Sequence, residues 1–211
     1  VNDLLQPPPI DGLPPAPLLE RFLFEQPLLP LAVLGLLAVI AGIAFASRNQ
    51  RRRGVLVAGV LVALAGGVYL MSTLVTTERE ELLARTEVLI GATARVDSTV
   101  LRDILTENAS LRTTGDIERV LASIEGRAEI LSRAHQNLQG RYQVTQWAIV
   151  DRQATIDGPN VGRTLVRVGV DVEGFSRTHY SWWRLHWERG PDGQWRCFEI
   201  EPRWIFGAGS A

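Results

Sequence analysis

The chain has 211 residues, a formal net charge of −1 and 46% hydrophobic residues, so no global basic field draws it to nucleic acid, and nucleic acid is not expected as a partner. Its single cysteine, Cys197, excludes an intramolecular disulfide and any cysteine-based zinc site. All 22 positive side chains are arginine, and charge is unevenly spread: residues 28 to 75 are almost wholly apolar outside one arginine cluster, while acids and bases crowd after Thr77.

Residues 1 to 26 begin VNDLLQPPPIDGLPPAP, a proline-rich stretch that cannot build helix or sheet ladders and reads as an extended tail. LLERFLFEQ follows and places Leu18, Leu19, Phe22 and Leu23 near one helical face, as a collar in the membrane interface would. Residues 27 to 76 read as a transmembrane hairpin. The runs 28–47 and 54–75 hold no charge, and each has the ~20 residues that a crossing needs. The first run lacks the basic region and small-x-small cleavage site of a removable signal peptide.

Between the runs, Arg48, Arg51, Arg52 and Arg53 fall where positive charge fixes orientation. They act as a topology anchor: the connecting loop is cytoplasmic and both termini lie outside the cytoplasm, on a bacterial inner membrane whose bilayer is the first partner. Small residues recur at four-residue spacing, Ala38 and Gly42 in the first helix and Gly59 and Ala63 in the second. A tight hairpin brings Gly42 level with Gly59 and Ala38 with Ala63, so the expected helix packing uses these four positions.

Residues 77 to 206 form the soluble domain, and 207 to 211 a flexible tail. Leu82/Leu83, Leu89/Ile90, Val96, Val100/Leu101 and Ile104/Leu105 recur near helical spacing, which predicts an amphipathic helix to about Glu107 with a break near Gly91. Two further helical pieces follow, Asp116 to Glu125 and a third reaching Gln139. The period then changes from helix to strand. RYQVTQWAIVDRQATI, GRTLVRVGVDVEG, THYSWWRLHWER and QWRCFEIEPRWIF are β-branched or aromatic runs separated by turn compositions, which predicts four antiparallel strands. Helices followed by hairpin-connected strands make an α+β domain with its N-terminal helices packed on one face of an antiparallel sheet.

The element order, with Trp187, Asp192, Gly193 and Trp195 in the closing YSWWRLHWERGPDGQWRCFEIEPRW, resembles the nuclear transport factor 2-like superfamily (cystatin-like cone, polyketide-cyclase-like) over about residues 80 to 206. The resemblance implies a strongly bent sheet that wraps its helices into a cone, and a short strand near Ala109 to Thr113. It includes isomerases, dehydratases and cyclases with a cavity in the cone, and also interaction domains, some of them anchored to bacterial membranes. Joined to the hairpin, it implies an extracytoplasmic interaction or assembly module, a non-catalytic subunit of a bacterial membrane complex that meets other subunits or a second copy. The alternative it implies is a membrane-tethered lyase or isomerase that takes a small apolar ligand into the cone.

No phosphate loop, dinucleotide fingerprint or calcium loop occurs, and no cofactor is implied. His179 and His186 differ in strand parity and point to opposite faces, so they cannot share a metal, and no metal site is expected. Tyr142, Asp151, Asp171 and His179 are the strand residues able to act as acid or base inside a cone. None has an identifiable partner in the sequence, so no catalytic residue is assigned and enzymatic activity is left open. In THYSWWRLHWER, Trp183, Leu185 and Trp187 point one way and Tyr180, Trp182 and His186 the other. With the Trp183 face lining the cone, the latter three make a candidate partner surface.

Overall fold

A computed structural model describes residues 10–15, 17, 28–47, 50–74 and 77–205, and the chain divides into two units, one holding the apolar helices and one holding residues 78–205 together with residues 10–14. The collar residues Leu18, Leu19, Phe22 and Leu23, the anchor residue Arg48 and the tail after Ile205 lie outside the described residues.

In the first unit, α1 spans Leu28–Ser47 and α2 spans Arg51–Leu74. Both are long and apolar enough to cross a membrane. Because α2 starts at Arg51, the residues Arg51, Arg52 and Arg53 form its first turn, ahead of the uncharged run. On α1, Ala38 and Gly42 fall on the covered side. On α2 the covered positions include Gly54, Ala58, Leu61, Ala65 and Val68, and Gly59 and Ala63 are exposed.

The pairing of Gly42 with Gly59 and of Ala38 with Ala63 is therefore corrected to a close approach at Gly54. A Cβ built there would come 2.8 Å from the Phe45 Cβ, whereas one on Gly42 or Gly59 would meet nothing within 4 Å. The reason is the helical period: a stripe of strict four-residue spacing drifts by roughly 40° at each step, while alternating steps of four and three stay on one face.

In the second unit, α3 (Glu78–Arg95) carries Glu78, Glu80 and Glu81 in its first turn, where acids suit the positive end of the helix dipole, and buries Leu82, Thr86, Leu89 and Ala92 along one stripe. The expected break lies beyond Gly91. Val96 takes a left-handed φ of 54°, and the Asp97 carboxylate caps α4 (Ser98–Ile104) by accepting from the amides of Thr99 and Val100 at 3.1 and 3.2 Å. Gly91 stays helical and serves packing, since a Cβ there would sit 3.0 Å from the Trp147 ring.

Strand β1 (Leu105–Leu111) follows directly and begins earlier than the short strand expected near Ala109. The helix expected over Asp116 to Glu125 is instead a 3-10 turn, Gly115–Arg119, and a two-residue strand β2 (Ile124–Glu125) paired with Ser110 and Leu111. Pairing to β1 claims the backbone groups that a helix would have used. Then come α5 (Arg127–His135), a π-helical turn Gln136–Arg141, and strands β3 (Val144–Gly158), β4 (Val161–Val172), β5 (His179–Arg189) and β6 (Trp195–Ile205).

The sheet order is β2-β1-β6-β5-β4-β3, antiparallel except that β1 runs parallel to β6. Register shifts at Trp182/Trp183 and His186/Trp187 bend the β5–β6 pair. Along β4 the inward side chains Thr164, Val166, Val168, Val170 and Val172 pass from fully buried to half-buried, so the sheet has a packed end and an open end. At the packed end Gly162 admits helix α3: a Cβ on it would lie 2.6 Å from Leu82 Cδ1.

Candidate functional site

Where α3 and α5 diverge from the inner face of the sheet, they leave a cavity of about 650 Å3. Val168, Val170 and Trp183 wall it from the sheet, and Leu89, Ile130 and Leu138 from the helical side. Each strand residue is there because period-two alternation sends it inward. Val120 and Phe175, both more than half exposed, mark where the cavity meets solvent.

Polar groups on the lining are few. Arg133 is held by Glu129 at 3.1 Å, and Thr93, Asn137, Tyr142, His179 and Ser181 are among the other hydrogen-bonding residues of the lining. The Phe175 ring meets the His179 ring edge-on at a centroid distance of 5.1 Å. No Asp or Glu belongs to the described lining.

Of the four strand residues considered as acids or bases, the cavity therefore gathers Tyr142 and His179. Asp151 stands opposite Arg167, and Asp171 shares the outward parity of Arg167, so both lie on the other face of the sheet. Leu89, Ile130 and Trp183, which help to wall the cavity, read in the sequence only as apolar pattern. Their convergence comes from how the helices sit on the sheet.

Tyr180, Trp182 and His186 do share the outer face, as their parity requires, but their aromatic bodies are covered. The Arg167 guanidinium lies 4.7 Å from the Tyr180 ring centroid, and Trp182 is only 9% exposed and pairs across strands with Trp204. His186 sits 3.8 Å from a Glu201 carboxylate oxygen and 5.9 Å, ring to ring, from Phe198. Burial pushes the His186 imidazole below its ordinary value, against the opposing pull of Glu199 and Glu201. Cys197 is fully buried and its thiol is pushed up to about 12, chiefly by desolvation, so it is inert.

No family model and no curated protein matches the sequence. Solved structures match its fold. An NTF2-like protein from Cytophaga hutchinsonii is 12% identical with a TM-score of 0.49, over 60% of this chain and 98% of its own. A candidate ketosteroid isomerase from Shewanella frigidimarina is 13% identical with a TM-score of 0.47, over 56% and 91%. The association domain of C. elegans CaMKII is 15% identical with a TM-score of 0.47, over 58% and 92%. At these identities the likeness is one of fold alone.

Proposed function

We propose that the nuclear transport factor 2-like fold, which residues 78–205 adopt, serves in this protein to hold a small apolar molecule at a membrane. The observation that carries this reading is the cavity. Its volume of about 650 Å3 suits a small-molecule site, and its walls are aliphatic and aromatic with a few polar tips near the mouth. Each Å2 of apolar ligand surface withdrawn from water there contributes roughly 25 cal/mol, and the polar tips set which end of the ligand faces out.

The two apolar helices supply the tether, with Arg52 and Arg53 on the cytoplasmic side and the domain on the opposite side of a bacterial inner membrane. A lyase or isomerase step on the bound molecule would move a proton through His179 or Tyr142, ionisable groups of the lining.

Native mass spectrometry of the full chain released from mild detergent tests the reading. The expected result is a stoichiometric apolar adduct that Val170→Trp, which fills the cavity, removes without lowering the thermal midpoint. Failure to carry any adduct, or an adduct of equal occupancy in the Val170→Trp chain, would overturn it. His179→Ala then separates the two forms of the proposal: a pure binding role keeps the bound molecule unchanged, whereas a proton-transfer role leaves binding intact and stops turnover of that molecule.

A further inference from the structure

The outer face of the sheet is more deeply buried than a solvated sheet face. Leu165 and Thr155 point away from the cone, yet they are 1% and 8% exposed. Leu165 lies in a row of residues opposite one another on four successive strands: Gln153, Leu165, Arg184 and Glu201.

Residues 10–14 are seated on this row. The Leu13 amide donates to Gln153 Oε1 at 3.0 Å, a Cβ on Gly12 would come 3.1 Å from the same oxygen, and Asp11 is near enough for its charge to act on the Arg184 guanidinium. The segment has neither helix nor strand, and prolines at 14 and 15 follow Leu13 and keep it extended. It is thus bound as a ligand is, by one backbone donor, one close contact and one charge, across 140 residues of sequence.

A second observation points the same way. Arg167 Nε, Trp182 Nε1, Arg184 Nε and His186 Nε2 are buried on this same face without a hydrogen-bond partner. Trp182 is itself more than nine-tenths buried. Buried polar atoms are normally paired, so a face with four unpaired nitrogens beside a bound extended segment is short of acceptors. Backbone carbonyls and carboxylates are the groups that would supply them, and extended chain presents its carbonyls unpaired.

We propose that the outer face of β3 to β6 is a docking site for an extended, proline-flanked acidic segment of a partner protein, and that residues 10–14 occupy it in cis. The cis segment reveals the chemistry of the site: an amide for Gln153 and a carboxylate whose charge acts on Arg184. A partner segment that offers more acceptors than the cis segment competes with it for this face.

The test uses a fluorescent peptide of sequence PPPIDGLPP, residues 7 to 15, titrated by anisotropy into the full chain in mild detergent and into a chain lacking residues 1 to 14. Saturable binding to the shortened chain is expected, at least tenfold weaker to the full chain, whose own segment competes. The Asp11→Arg peptide, and separately a Gln153→Ala shortened chain, should each weaken binding at least tenfold. Leu13→Pro in the full chain removes the cis amide donor without shortening the protein, and should admit the peptide as the shortened chain does, which covers the case where truncation impairs folding. Absence of saturable binding to the Leu13→Pro chain, or equal binding of the Asp11→Arg peptide, would sink the proposal. Self-association of the full chain that is lost on removing residues 1 to 14 would assign the seat to a second copy and overturn the partner reading.

Discussion

Trp187 is wholly buried, and its indole Nε1 donates to Thr164 Oγ1 at 3.0 Å, the hydroxyl itself standing 3.0 Å from that of Thr86. Thr164→Val keeps the shape and removes the acceptor, leaving a buried N–H unpaired, so a loss of about 1–3 kcal/mol is expected. Urea titration should show a lower midpoint at unchanged slope. An unchanged midpoint would mean that Trp187 finds another acceptor. That Trp187 faces inward was legible from strand alternation, but the threonine pair was not, because its members lie 78 residues apart and nothing local links them.

His186 gives a pH dependence with a definite sign. Burial, opposed by Glu199 and Glu201, holds its imidazole below 6.5 in the fold, so as pH falls the unfolded chain takes up the proton first. Stability is complete above about 6.5 and declines as pH drops through that value toward the lowered folded one. Differential scanning calorimetry across this window should show a midpoint that falls with acid in the native chain and a flatter profile in His186→Gln. Parallel profiles for the two proteins would remove His186 as the cause.

At the scale of elements, two glycines decide how closely helices approach. Gly162 lets Leu82 of α3 reach the sheet, and Gly54 lets α2 reach Phe45 of α1. Gly162→Val presses a side chain against Leu82 Cδ1 and the Thr155 carbonyl, at an expected cost of about 1–3 kcal/mol and a lower thermal midpoint. A midpoint equal to that of the native chain would show that α3 can shift without penalty. The long strands were legible because β-branched alternation is a local signal; the short pieces were not. Asp116 to Glu125 has the composition of a helix, but the pairing of Ile124 and Glu125 with β1 is a contact that no window of sequence contains. The exposure of Gly59 and Ala63 on α2 has a related reason, since a count of small residues does not fix which side of a helix meets its neighbour.

For the whole molecule, the expected topology has both ends outside the cytoplasm and the arginines of the connection inside. An alkaline phosphatase fused after Ala211 should be active in a bacterial host, and a silent phosphatase with a fluorescent cytoplasmic reporter at the same site would contradict it. The hydrogen bond from Leu13 to Gln153 adds a constraint that does not depend on charge. A bond between chain ends that flank a membrane-crossing stretch can form only if that stretch crosses an even number of times. If the apolar helices cross a membrane, reporters placed at the two termini are expected to agree with each other whichever way the hairpin inserts, and a single-pass arrangement would have to break that bond.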